Sequence, residues 1–199
     1  MMLPAATRPA LHAARLLEAG VAVILAGPEG AGKTACLTAA AARAATYGKS
    51  IVAHTALRAG AGPGCLERVL TDRMHRHRIG RWRPRNAASL VLCVDDLHAP
   101  AVAVAAKGGN PAVPGSYEFL RQLVSTGTFW DTASGGSGGI GGDASAEGTR
   151  VLVAGQIRKL ISVGTKTGAG AAARQLLRLL LPVRTDSEVQ EIPPANVLA

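Results

Sequence analysis

Gly27-Pro28-Glu29-Gly30-Ala31-Gly32-Lys33-Thr34 stands between an apolar run, Val21-Ala22-Val23-Ile24-Leu25, and an Ala-rich stretch of high helical propensity. The order is strand, glycine-rich loop, helix. In Gly-x-x-x-x-Gly-Lys-Thr each fixed residue has a chemical task. The glycines let backbone N–H groups curl around phosphates, Lys33 neutralises β/γ charge, and Thr34 offers a hydroxyl to Mg²⁺. The helix that starts here adds the positive end of its dipole to the same anion. Gly-rich turns open many helices, but Gly-Lys-Thr in register between a strand and a helix is specific to phosphate loops. Gly27, Pro28, Glu29, Gly30, Ala31, Gly32, Lys33 and Thr34 are therefore the expected nucleotide-binding set, with ATP and Mg as cofactors.

Outward from this loop, strands alternate with helices. Pro9 to Ala19 carries Leu11, Ala14, Leu16 and Leu17 at helical spacing and stops at Gly20. Val21 to Ala26 reads as the first strand, and Ala35 to Tyr47 as a helix closed by Gly48. Ile51 to Ala56 is a second short strand, with a loop from Gly60 to Gly64. Cys65 to His77 places Leu66, Val69, Leu70 and Met74 on one helical face and arginines on the other, until Gly80 to Asn86, with Pro84, breaks it. Ser89-Leu90-Val91-Leu92-Cys93-Val94 is continuously apolar, as in a parallel strand buried on both faces. Tyr117 to Thr126 is a further helix. Ser134 to Gly142 is almost all Gly and Ser, the composition of a flexible insertion.

Arg150 to Ala154 and Ile157 to Val163 read as two strand-like runs, Ala171 to Leu177 as a short helix, and Arg178 to Val183 as a last strand. The pattern predicts an α/β fold with a parallel sheet of about five strands flanked by helices. Residues 1–20 form a leading helix, 21–184 the nucleotide-binding core, and 185–199, with Pro193-Pro194, a frayed tail.

The length of 199 residues suits one domain. With only two each of Trp, Tyr and Phe, the core is expected to rest on Ala, Val, Leu and Ile. No apolar run approaches the roughly 20 residues of a membrane span, and Met1 to Arg15 lacks the layout of a signal peptide. A soluble, intracellular chain with no membrane partner is expected. Cys36, Cys65 and Cys93 form no Cys-x-x-Cys pair and read as buried thiols in a reducing compartment. His75 and His77, two apart on the expected helix, point to different faces and make a poor metal pair.

Charge is uneven along a chain of net charge +9. Glu67 to Arg85 is net +5, Arg150 to Arg184 net +7, and Asn86 to Thr149 net −4. Basic stretches bind nucleic acid, nucleotide phosphates or acidic protein surfaces. Little aromatic interleaving beyond Trp82 argues against nucleic acid.

A second carboxylate site narrows the chemistry. The apolar strand ends in Asp95-Asp96, where Asp95 would hold Mg²⁺ opposite Thr34 and Asp96 would polarise an attacking water. Asp is shorter than the more usual Glu by about 1.5 Å, a misplacement that can cost roughly a hundredfold in rate. Binding is thus the firmer expectation, and hydrolysis slow or regulatory. Ser162-Val163-Gly164-Thr165 falls at the end of the predicted penultimate strand, where a polar residue orients water against the γ-phosphate. Thr165 or Ser162 would serve, whereas Gly164 has no group to offer. Arg174, before the last strand, is placed to act as a finger toward a neighbouring module. The candidate catalytic residues are Asp96, Thr165 and Arg174, with Thr34 and Asp95 as metal ligands.

Leu90-Val91-Leu92-Cys93-Val94-Asp95-Asp96-Leu97-His98-Ala99-Pro100 resembles the Walker B segment of an AAA+ module of a dynein heavy chain. Glu118-Phe119-Leu120-Arg121-Gln122-Leu123-Val124-Ser125-Thr126-Gly127-Thr128-Phe129-Trp130-Asp131 is similar to the helix in which these motors carry a Leu-Arg-Gln core, then Gly, an aromatic pair and Asp. Gly80-Arg81-Trp82-Arg83-Pro84-Arg85 resembles the lead-in of the third ring module, nearest the type that drives intraflagellar transport. Three departures stand out: the Gly-rich insertion, Gly164 at the water-orienting position, and Gln175-Leu176 without the aromatic residue usual after Arg174.

The resemblance extends from about Pro9 to Val183 and implies a P-loop NTPase of AAA+ type, with the large α/β subdomain present and the helical lid absent. It implies neighbouring AAA+ modules as partners, microtubules as partners only indirectly, and a place in the cytoplasm and cytoskeleton, with the cilium as a further site. The rival readings are a nucleic-acid-linked AAA+ ATPase, a small P-loop kinase, and a nucleotide-binding interaction module without hydrolysis.

Overall fold

Ser89–Asp95 is buried at all seven positions, so both faces of this strand must be covered. It is the second strand in a five-stranded sheet. In the computed structural model, which describes residues 4–101, 115–131, 142–164 and 169–185, the elements run α1 (Pro4–Glu18), β1 (Val23–Ala26), α2 (Lys33–Gly48), β2 (Ser50–Ala56) and α3 (Pro63–Thr71). Then come β3 (Met74–Arg78), β4 (Arg81–Pro84), β5 (Ser89–Asp95), α4 (Gly115–Thr126), β6 (Thr128–Asp131), β7 (Gly142–Ala146), β8 (Thr149–Gly155), α5 (Ile157–Gly164), α6 (Ala169–Leu179) and β9 (Leu181–Arg184).

The main sheet has the order β2-β5-β8-β1-β9, and every neighbouring pair is parallel. Parallel strands send all their carboxyl ends to one edge. The loop after β1, Asp96 after β5, Gln156 after β8 and Thr185 after β9 therefore meet there.

Side-chain alternation splits the core in two. On one face, Val23, Leu25, Val91, Cys93, Leu152, Ala154 and Val183 meet Leu17 of α1 and Leu37 of α2. Alanines at 10, 13, 14, 40, 41 and 44 line these two helices and let them lie close to each other and to the sheet. On the other face, Ile24, Leu90, Leu92, Val94, Val151 and Val153 meet Leu66 and Leu70 of α3, Tyr117, Leu120 and Leu123 of α4, and Leu176 of α6. Each fully buried Leu in these layers stabilises the fold by about 1.5–3 kcal/mol.

The α/β class and the five-stranded parallel sheet match the sequence expectation; several local readings do not. The helix expected over Cys65–His77 stops at Thr71. His75, Arg76, His77 and Arg78 are all exposed, so no apolar helix face exists there to bury, and the segment pairs as a strand with Arg81–Pro84. This hairpin opens a second sheet, β3-β4-β7-β6, absent from the sequence reading. Ile157 to Val163 is the helix α5, because Thr149–Gly155 already fills the central position next to β5.

α2 runs through Gly48, and Lys49 takes the left-handed conformation that was expected of Gly48. Thr185, assigned to the tail, is buried; residues 186–199 lie outside the described residues, as does 134–141 of the Gly-rich insertion. Cys36 and Cys93 are buried as expected, but Cys65 is exposed, and none of the three is in a disulfide.

The residues that carried the family resemblance hold the second sheet together and fasten it to α4. Trp82 Nε1 donates to the buried Asp131 at 3.2 Å, and the Trp82, Phe129 and Phe119 rings pack in series. Gln122 donates to Asp143 of β7 at 2.9 Å, Arg121 pairs with Glu118, and Leu120 is wholly buried. Among the described residues, no helix is long and apolar enough to cross a membrane.

Candidate nucleotide site

The phosphate loop leaves the end of β1 at Gly27. A Cβ at Gly27 would lie 2.3 Å from Thr185 Oγ1, so only glycine lets β9 pack beneath the loop. Thr185 N donates to Ala26 O at 3.0 Å and fixes that contact. Gly30 and Gly32 have φ of +76° and +72°, a region costly for other residues, and no atom of the described residues lies within 4 Å of a Cβ built on either. The loop is thus curled and open above these glycines. Gly32 precedes α2 without a side-chain cap, which leaves the first-turn N–H groups available to an anion. Lys33 Nζ donates to the Pro28 carbonyl across the loop.

Thr34 Oγ1 donates to Asp95 Oδ2 at 2.6 Å, and Asp96 N donates to Asp95 Oδ1 at 2.9 Å. Both oxygens of the buried Asp95 carboxylate are thereby positioned. A hydroxyl and a carboxylate form the hard oxygen pair that Mg²⁺ takes beside nucleotide phosphates. Together with the open loop and the uncapped helix, these residues fit a Mg-nucleotide.

Asp96 is exposed and has φ 53°, a strained value for a residue with a side chain. The turn is held on both sides. Leu97 N donates to Ala154 O at 3.0 Å, while the buried Tyr117 hydroxyl donates to Leu97 O at 2.5 Å and accepts from Ala101 N at 3.3 Å. Burial pushes the Tyr117 hydroxyl pKa upward. Beside Asp96, His98 Nδ1 is buried with no hydrogen-bond partner among the described residues. Burial lowers the His98 pKa, the Asp96 carboxylate opposes that shift, and Lys159 and Lys33 reinforce it.

Thr165 lies outside the described residues, and Ser162 and Gly164 belong to α5, so this segment does not end a strand. Gln156 follows the last residue of β8. Its Nε2 donates to Glu29 Oε1 at 3.0 Å, and Lys159 Nζ donates to the same oxygen at 2.5 Å. These two hydrogen bonds, that from Lys159 foremost, hold the Glu29 pKa at about 2. Gln156, Lys159 and Thr185 escaped the sequence reading. The available signal was a polar residue directly after the run Val151-Leu152-Val153-Ala154-Gly155. Arg174 sits half-exposed on α6.

The basic hairpin is separate from this site. His75 and His77 are on a strand and share a face, with rings 6.5 Å apart, contrary to the helical expectation. They line an open cleft of about 490 Å³ with Arg83 and Glu147, and Glu147 accepts from Arg83 at 2.6 Å and Arg81 at 3.4 Å. Among the described residues, no group of three or more His, Cys, Asp or Glu side chains could hold a metal ion.

A family model described as "P-loop containing dynein motor region" matches residues 5–137. No curated protein matches the chain significantly by sequence. Among solved structures, NtrX from Brucella abortus is similar with a TM-score of 0.50 at 15% identity, over 93% of this chain and 37% of that one. A second NtrX structure, in complex with ATP, gives 0.48 at 14% identity, over 92% and 37%. A RuvB mutant from Thermotoga maritima gives 0.44 at 13%, over 90% and 44%. The chain thus spans little more than a third of the NtrX chain, and at such identity the likeness concerns fold alone.

Proposed function

The chain belongs to the family of P-loop containing dynein motor regions, and from that premise we propose that it is the Mg·ATP-binding module of a dynein-like microtubule motor, with weak or regulatory hydrolysis. It is a nucleotide-binding module of AAA+ type. The Thr34–Asp95 hydrogen bond at 2.6 Å carries the ATP reading, since it joins the two halves of a Mg-phosphate site across the sheet.

In this reading the loop amides, Lys33 and the start of α2 bind the phosphates, and Thr34 with Asp95 holds the metal. Bound Mg²⁺ supplies charge neutralisation on the phosphate oxygens. Asp96 accepts the proton of an attacking water, and its exposure and short side chain favour a slow step. Gln156 takes the water-orienting place first assigned to Thr165. Arg174 serves as the finger toward a neighbouring module. Nucleotide state shifts contacts with adjacent modules of the heavy chain and so gates the motor. Microtubules are engaged only through the rest of that chain, which places the protein on the cytoskeleton and in cilia.

Titration with fluorescent ATP, with and without Mg²⁺, tests the reading. Affinity should depend on the metal and fall steeply in Lys33→Ala; unchanged affinity in that variant would sink it. The exposed arginines of β3 and β4 favour one second reading, a nucleic-acid-linked ATPase. DNA binding that weakens steeply with salt would support it, and no binding at low salt would remove it.

A further inference from the structure

We propose that Lys159 is a reader of the terminal phosphate, stored on Glu29 and transferred when a nucleoside triphosphate occupies the loop. The inference rests on the ATP-site reading above and names the group that distinguishes triphosphate from diphosphate.

Glu29 is an acid placed inside an anion-binding loop. Its charge opposes an incoming phosphate unless it is compensated, and the compensation comes from outside the loop: Lys159 at 2.5 Å and Gln156 at 3.0 Å. These partners are 130 and 127 residues away in sequence, so the contact is a product of the fold. Both follow β8, which lies between β1 and β5 in the sheet. The Glu29–Lys159 pair therefore bridges the phosphate loop and the strand beside Asp95.

Stability does not account for this pair. The Glu29 side chain is 73% exposed and that of Lys159 48%, and exposed ion pairs contribute little to folding. A solvent-screened partner is easily exchanged for a more highly charged one. Lys has a flexible four-carbon stem and a compact ammonium, which suits movement between two anions better than a fixed guanidinium fork would. The charge of Lys159 also acts on His98, as do those of Lys33, Asp96 and Glu29. Lys159 thus stands within a shared electrostatic field of loop and acidic turn. A γ-phosphate entering that field offers the ammonium a stronger acceptor than the Glu29 carboxylate, and transfer leaves the Gln156 amide less constrained. A diphosphate brings no such group, and the pair stays closed.

The test titrates N-methylanthraniloyl-ATP and -ADP, each with Mg²⁺, into the full chain and its variants. Lys159→Gln should weaken ATP about tenfold, as expected for one charge-assisted hydrogen bond, and ADP by clearly less, about two- to threefold, through the Glu29 charge it leaves uncompensated. Glu29→Gln should tighten ATP a few-fold, and the gain should vanish when Lys159→Gln is added. Equal effects of Lys159→Gln on both nucleotides, or no effect on either, overturn the reader while Lys33-dependent ATP binding leaves the site reading intact. ATP binding that is indifferent to Lys33→Ala defeats the site reading and the reader together.

Discussion

The Thr34 hydroxyl and the Asp95 carboxylate, 61 residues apart in sequence, meet at 2.6 Å over the carboxyl edge of the main sheet. The contact exists because β5 and β1 run parallel, with β8 between them, so that their ends face the same opening. If this pair is the metal-holding element, Asp95→Asn should remove the Mg²⁺ dependence of ATP affinity while keeping the fold. Affinity with Mg²⁺ present should fall about tenfold or more, toward the metal-free value. Isothermal titration with and without the metal reads this directly, and a variant that keeps the full Mg²⁺ effect would exclude Asp95 as a ligand.

Asp96 tests whether the module turns over. The residue is held at φ 53° by a turn that leaves its side chain exposed. If reach limits the step, Asp96→Glu should raise the single-turnover rate, by up to about a hundredfold. Asp96→Asn should lower it to background. Equal, near-background rates for the chain as written and for Asp96→Asn would leave a binding module without hydrolysis.

Gly27 is required for packing rather than for a left-handed backbone. A Cβ there would meet Thr185 Oγ1 at 2.3 Å, so Gly27→Ala should destabilise the fold by about 1–3 kcal/mol, the scale of an overpacked site. Adding Thr185→Ala should recover part of the loss. Denaturant melts of the two single variants and the double variant check it; additive losses would mean that the contact is not the cause.

The family-like residues and the chemical residues differ in how legible they were. Gly27 to Thr34 and Asp95 were visible because each ends an apolar run that can only be a central strand. The second sheet was hidden because its strands carry little apolar alternation: in Met74–Arg78 only Met74 is buried, and Gly142–Ala146 is Gly, Asp, Ala and Ser. Ile157–Gly164 misled for the opposite reason. Its Ile, Leu and Val content imitates a strand, yet the neighbouring Thr149–Gly155 takes the sheet position and leaves it to form a helix. Gln156 and Lys159 went unnoticed as a result, since a wrong strand end points to the wrong polar residue. Trp82 and Asp131, which helped to mark the family, turn out to bond each other. Their pattern records how two strands of the second sheet, β4 and β6, are tied together across β7.

Tyr117 should behave as a fixed prop for the acidic turn. Its hydroxyl donates to Leu97 O and accepts from Ala101 N, both buried contacts. Tyr117→Phe removes the donor that this carbonyl has among the described residues and should cost about 1–3 kcal/mol in a denaturant melt. Because Leu97 follows Asp96, the same variant should also slow any hydrolysis more than it weakens ATP binding. A melt unchanged from the parent would mean that water replaces the hydroxyl.

The Glu29–Lys159 pair has a pH signature. Glu29 titrates at about 2 against an ordinary 4.5, chiefly because Lys159 and Gln156 hydrogen-bond its charged form. A carboxylate depressed in the folded state stabilises fully above its unfolded pKa, and that contribution is lost as pH falls toward its folded value. The window for this group is therefore about 4.5 down to about 2, well below neutral pH. Protonation of Glu29 therefore does not open the pair at neutral pH. Following the Glu29 side-chain carboxyl by ¹³C NMR, the titration midpoint should rise toward 4.5 in Lys159→Gln. High salt should raise it in the parent chain as well, because both partners are exposed and screened. A midpoint that ignores both changes would mean that Lys159 does not hold Glu29 in solution.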